Sequence, residues 1–212
     1  SKSYAPSKTV GSTLKLTLLD TIEQKVTTSL SAGRVIPKLN VDRSNFLSVG
    51  FKFKQVIDQT QNVTLGITSS RVNAIANNTF DPTNNSISAT YSKKLDVFKI
   101  KGGAMFTDRN SKTASFSGTD RKVFFETKYP VGPQDIYAKY SHTESSDNAK
   151  RNTQSAARKQ TSKFFEIGYS MPIPVTDLAK LNFYASRLDA NSNLTLFESQ
   201  TNTFGIKVSL NF

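Results

Sequence analysis

Thr203-Phe204-Gly205-Ile206-Lys207-Val208-Ser209-Leu210-Asn211-Phe212 is the stretch that decides how the rest of the chain is read. Its odd positions are Thr, Gly, Lys, Ser and Asn, and its even positions are Phe, Ile, Val, Leu and Phe. Successive side chains of a β-strand point to opposite faces, so this segment has one wholly apolar face and one that is polar or small. That pattern suits a pleated strand between two different solvents.

The same split recurs upstream. Leu47, Val49, Phe51 and Phe53 alternate with Ser48, Gly50, Lys52 and Lys54; Val63, Leu65 and Ile67 alternate with Thr64, Gly66 and Thr68. Phe98, Ile100, Ala104 and Phe106 alternate with Lys99, Lys101, Gly103 and Met105, and Phe165, Ile167, Tyr169 and Met171 with Glu166, Gly168 and Ser170. Weaker versions span 14–18, 26–32, 87–91, 123–129, 136–140 and 181–185. Sustained helical periodicity is absent. The reading is all-β, about eleven antiparallel strands of roughly 9–12 residues, near the length that crosses a tilted bilayer span. The 212 residues are 36% hydrophobic, with a mean hydropathy of −0.41. No run approaches the roughly 18 apolar residues of a membrane helix. A spanning strand needs only alternate apolar residues, so low mean hydropathy leaves a transmembrane barrel open.

Connections alternate between short (20–24, 58–61, 95–96, 130–134, 172–177) and long or polar (36–45, 75–85, 108–113, 145–162, 189–200). Transmembrane β-barrels show this asymmetry between their two ends. With the short turns at one end, the first strand, near Leu14, runs from the long-loop end towards the short-turn end, as the last one does. Single-chain bacterial barrels close with an even strand number. Twelve strands is therefore the expected total. The remaining strand is unrecognised in the sequence, or lies before Ser1, or is replaced by an amino-terminal segment threading the interior. The expected domain is 1–212, a single up-and-down transmembrane β-barrel, or the last part of a longer one. Ser1–Thr13 lacks the apolar core of a signal peptide, so a mature form or a piece of a longer chain is expected.

Lys and Arg outnumber Asp and Glu by 28 to 16, a formal net charge of +12. Lys15, Lys52, Lys54, Lys99, Lys101, Lys122, Lys128, Lys139, Lys180 and Lys207 fall on the polar faces of strands, opposed in the clearest segments only by Glu126 and Glu166. On the inner wall of a barrel that excess would favour anions, through a field focused by a low-dielectric wall. The competing reading neutralises these lysines with acidic groups of a plug, a partner or the loops. Arg34, Arg43, Arg71, Arg109, Arg121, Arg151, Arg158 and Arg187 lie instead at long-loop ends of strands or in the long loops. Gly50, Gly66, Gly103, Gly168 and Gly205 sit on the polar faces and are expected to leave room for water or a threaded segment.

The chain has no Cys and one His, which excludes thiolate chemistry and leaves little for a metal; no cofactor or metal is expected. His142, beside Ser145 and Asp147, is the one place for a nucleophile–base pair. No oxyanion donors accompany it, and a solvated loop histidine is the reading; catalysis is not expected. Asp81–Asn85 reads as a turn cluster. The basic stretch 148–163 carries no stacking aromatic until Phe164, so nucleic acid is not an expected partner.

Phe204, Ile206, Val208, Leu210 and Phe212 together resemble the carboxy-terminal signal of Gram-negative outer-membrane β-barrel proteins. The resemblance implies an outer-membrane address and recognition by the barrel-assembly machinery. It also puts lipopolysaccharide phosphates beside the long-loop end, where the eight arginines would bind them bidentately. Thr203, Gly205, Val208 and Leu210 also satisfy a related mitochondrial signal; the terminal Phe and long loops favour the bacterial one. More loosely, Arg187-Leu188-Asp189-Ala190-Asn191-Ser192-Asn193 resembles the end of barrels that follow tetratricopeptide domains, among them surface lipoprotein assembly modifiers and exopolysaccharide exporters. The functions expected are a pore or export channel or, alternatively, a structural, adhesive or complex-embedded barrel with a filled interior and partner-binding loops.

Overall fold

The computed structural model describes residues 7–37, 44–74, 82–150, 154–173 and 176–210. Eleven strands form one antiparallel up-and-down sheet in sequence order. They are β1 (Ser7–Asp20), β2 (Gln24–Pro37), β3 (Ser44–Val56), β4 (Gln61–Ala74), β5 (Thr83–Leu95), β6 (Phe98–Asn110), β7 (Gly118–Val131), β8 (Gln134–Asp147), β9 (Lys159–Ile173), β10 (Thr176–Ser192) and β11 (Ser199–Leu210). The strand count matches the sequence reading, but the lengths do not. Strands run from 12 to 17 residues, because the polar ends Thr143–Asp147 and Ser186–Ser192 stay in the ladder. Apolar–polar alternation fades there, since both faces meet water, while the backbone pairing continues. Two loops shrink accordingly, from 145–162 to 148–158 and from 189–200 to 193–198, while the one expected at 108–113 shifts to 111–117. Short 3-10 turns at Ala114–Phe116 and Thr195–Phe197 stiffen two of them.

Directly opposed residues of an antiparallel pair point to the same side, so register carries each face across the sheet. Phe53 opposes Val26 and Leu65, Leu65 opposes Ala89, Ala89 opposes Ala104, and Ala104 opposes Val123. This apolar face is exposed on every strand. Leu14, Leu30, Phe51, Ile67, Ile87, Phe106, Val123, Ile136, Phe165, Phe183 and Phe204 are all exposed, and no large apolar side chain is fully buried among the described residues. The polar face is concave, shown by contacts that reach past an intervening strand. Arg109 on β6 meets Asp147 on β8 at 2.9 Å, and Lys180 on β10 meets Asp135 on β8 at 3.8 Å. Near the short turns the apolar face carries aromatic residues with polar tips. Tyr91 donates to Gln61 Oε1 at 2.6 Å, Tyr169 donates to Gln134, and Phe98 packs on Tyr129 at 4.8 Å between ring centroids. Tyrosines with one end apolar and the other wet mark an interface between two media.

Two hairpins are as tight as a hairpin can be. Asp96 and Gly132, first of the two residues between their strands, take φ values of +47° and +60°, as the mirror-image turns favoured by twisted strands demand. Among the described residues β1 and β11 are each paired on one side only, and both run from the long-loop end to the short-turn end.

Glycines on the concave face do not leave the open space expected of them. A Cβ on Gly103 would lie 2.8 Å from the Phe124 ring, one on Gly168 2.4 Å from the Tyr137 ring, and one on Gly205 2.5 Å from the Tyr184 hydroxyl. Gly50 and Gly66 are covered by the hydroxyls of Ser29 and Ser88, each 2.8 Å from where a Cβ would stand. Each glycine is the seat of a neighbour's side chain, and the sheet gains packing on a face otherwise wet.

Gly168→Ala is expected to cost about 1–3 kcal/mol by overpacking, and Gly132→Ala about 1–2 kcal/mol through its left-handed backbone alone. Equilibrium urea unfolding measures both. Removing the ring as well, in Gly168→Ala/Tyr137→Ala, should cost less than the two single changes together.

Candidate functional site

The pleat places every lysine predicted for the polar face on that face. Lys52 opposes Thr27 and Gly66, Lys54 opposes Lys25 and Thr64, and Lys101 opposes Ser92 and Glu126. Lys122 opposes Met105 and Thr143, Lys139 opposes Glu126 and Glu166, and Lys207 opposes Asn182. Lys15 (opposite Ser29), Lys99 and Lys128 (opposite each other) and Lys180 (opposite Ser209) complete the set. Lys25 and Lys94 join it; they border turns, where alternation is too brief to read.

Half of the compensation comes from carboxylates that the sequence did not single out. Lys139 pairs with Glu166 at 2.7 Å and Lys101 with Glu126 at 4.0 Å, as their opposition implied. Asp135 takes Lys128 at 2.7 Å and Lys180 at 3.8 Å, and Asp20 takes Lys25 at 2.7 Å. Asp135 shares odd parity with Tyr137 and Lys139, so its direction becomes legible once the strand is extended to the turn. Lys139 also stands 4.5 Å over the Tyr137 ring. Lys15, Lys52, Lys54, Lys99, Lys122 and Lys207 have no ion pair among the described residues. Two hollows follow along the short-turn end of this face. One, of about 450 Å³, includes Lys54, Lys94, Lys99, Lys101 and Lys128; the next, of about 510 Å³, includes Lys139, Lys180, Lys207 and both glutamates. At the rim of the first, Asp58 accepts from Thr60 Oγ1 and N at 2.7 Å and from Gln61 at 2.8 Å. The Thr60 hydroxyl, then its N–H, holds that carboxyl below its ordinary value.

The arginines divide into two groups. Arg34, Arg71, Arg121 and Arg187 lie on the convex face above the apolar band, opposite Asn45, Leu47, Glu144 and Phe165 respectively. Their neighbours there include Lys163 and Asp189, which oppose each other, and Arg187 pairs with Asp189 at 2.9 Å. Arg109 and Arg158 turn inward instead, against the expectation of one outward ring. The Asp147 side chain, 1% exposed, receives Arg109 Nη2 at 2.9 Å and both Nη2 and Nε of Arg158 at 3.1 Å. Arg109 Nε also lies 3.1 Å from Asp120, off the hydrogen-bond axis, so that contact is a plain charge pair. Asp147 reads as a loop residue in the sequence; its place at the end of β8 makes it the hub. Arg43, Arg151 and Phe212 lie outside the described residues, as does the Leu210 side chain; Phe204, Ile206 and Val208 are exposed on the convex face.

Three loops meet at Asp147. Its N–H donates to Arg158 O, and Asn148 N–H donates to Ser117 O, both at 2.9 Å. Asn193 accepts from Lys159 N–H at 2.7 Å and donates to Ala157 O at 2.9 Å, while the Arg158 guanidinium stacks 5.2 Å from the Phe197 ring. Gly118, opposite Asp147, allows the strands to approach; a Cβ there would come 2.0 Å from Ser146 O.

His142 is on the convex face, opposite Val123 and Lys163 and 3.5 Å from Glu144. Ser145 and Asp147 belong to the opposite parity and face inward, so no nucleophile–base pair forms with either. Among the described residues no group of three His, Cys, Asp or Glu is placed to hold a metal.

No protein family matches the chain, and no curated protein matches it. Among solved structures, OmpTdeltaL8, the loop L8 deletion mutant of OmpT, an outer membrane protein of Vibrio cholerae, matches with a TM-score of 0.47 and 12% identity. The match covers 95% of this chain and 96% of that one. At that score the likeness bears on no residue.

Asp147→Ala strands two half-buried guanidiniums and is expected to destabilise the protein by about 3–5 kcal/mol. Limited proteolysis should then cut first within 148–158, whereas Asp189→Ala, which removes only an exposed pair, should leave the cleavage pattern unchanged.

Proposed function

We propose that this chain forms a β-barrel of about twelve strands in the outer membrane of a Gram-negative bacterium, and that it acts as a pore or export channel with an anion-favouring interior. One observation carries the reading: large apolar side chains are exposed on all eleven strands of a sheet whose other face is charged. Leaving a Leu or Phe in water rather than burying it costs about 1.5–3 kcal/mol. One such residue per strand already outweighs the roughly 5–15 kcal/mol by which a domain is stable, unless hydrocarbon covers that face. The tyrosines at one edge of the band mark its limit against water. Closure needs a strand running opposite to β1 and β11, so that it pairs antiparallel with both. Phe204, Ile206 and Val208 serve recognition by the barrel-assembly machinery. Arg34, Arg71, Arg121 and Arg187, just above the apolar band, bind lipopolysaccharide phosphates in this reading.

The second reading, a structural or complex-embedded barrel with partner-binding loops, is favoured by the three loops drawn together at Asp147 and by the rings seated on the concave face. In either reading the role is not catalytic.

Purified protein in planar bilayers should conduct, with reversal potentials in a KCl gradient that favour chloride. A silent bilayer would leave only the second reading, and a cation preference would remove the role given to the lysines. A chain that stays folded and dispersed without detergent overturns both. Arg121→Ser with Arg187→Ser should weaken lipopolysaccharide retention during extraction; unchanged retention removes the phosphate contacts.

A further inference from the structure

We propose that the hollow at the short-turn end of the concave face is a binding site for a multivalent phosphate-type anion, two or more linked oxyanion groups rather than a single halide. The inference deepens the pore reading, on which it rests for access from water. Lys94, Lys99 and Lys128 oppose one another in a straight row across β5, β6 and β7. Like charges directly opposite on a sheet repel and destabilise the pairing. Lys128 is relieved by Asp135 at 2.7 Å, but Lys94 and Lys99 have no ion pair among the described residues. Lys54 enters the same hollow from β3 and Lys101 from β6. The carboxylates within it do not cancel this charge. Glu126 reaches Lys101 only at 4.0 Å, and Asp58 is taken up by Thr60 and Gln61.

Size and spacing select the ligand. The hollow has a volume of about 450 Å³, within the range of small-molecule sites. A row over three strands spans about 10 Å, which suits a short chain of phosphates with one ammonium beside each. Lysines, as compact charges on flexible stems, can follow such a chain without the fixed geometry of an arginine fork. A bound polyanion turns the repulsive row into an attractive one.

The test uses inorganic tripolyphosphate as the probe. Added on the short-turn side of single channels in KCl, it should block the current reversibly, and calorimetry in detergent should show binding at constant ionic strength. Lys94→Gln with Lys99→Gln should weaken both by about tenfold or more. Lys99→Arg should retain them, as should Lys150→Gln in the 148–158 loop, which lies outside the hollow. Anion-selective channels that tripolyphosphate neither blocks nor binds overturn the site and leave the pore. Binding that the double variant abolishes in protein that does not conduct keeps the site and overturns the pore. Binding unaffected by the double variant overturns the site.

Discussion

A strand has only two faces, and the alternation of its side chains is the constraint on which this molecule depends. With eleven strands in antiparallel register, one choice of parity settles the direction of nearly every side chain. The backbone satisfies its own hydrogen bonds through the ladder, so neither surface needs a second layer to cover polar groups. This is why the described residues hold no ordinary core: apolar burial is left to whatever medium lies against the convex face, and the concave face is stitched by ion pairs, hydroxyls and rings.

The two cations are sorted by the same geometry. Lysines lie along the concave wall, where Asp20, Glu126, Asp135 and Glu166 offset part of their charge. Arginines gather at the long-loop end, some outside the band and two inside on Asp147. The inner pair does structural work that a lysine could not copy, because each planar guanidinium addresses more than one acceptor. Arg109 touches Asp120, Asp147 and the Ser146 carbonyl together.

The alternation in 203–212, 47–54 and 98–106 made the fold legible, since contrast between faces is strongest where one is lined by large apolar side chains and the other by lysine and small polar groups. It failed at strand ends such as Thr143–Asp147, where both faces are wet and Ser and Thr suit either side. That failure hid the site at Asp147: a residue that reads as loop is in fact the last rung of β8. The lysine wall was legible because parity alone decides it. The counter-charges were only partly so, because pairs such as Lys180 with Asp135 bridge strands that are not adjacent, and curvature is not written in any one strand. Inward glycines mislead because a missing side chain looks like space until the neighbour's ring is placed.

Those seated rings have a consequence for how the sheet finds its alignment. Parity forbids a strand from slipping by one residue, since every apolar group would swap sides; it does not forbid a slip of two. The rings do. Shifted by two, Tyr137 would meet Glu166 or Ser170 instead of Gly168, Phe124 would meet Lys101 or Met105 instead of Gly103, and Tyr184 would meet Thr203 or Lys207 instead of Gly205. The glycines thus act as notches, and a repetitive sheet of near-equivalent rungs acquires a single indexed position.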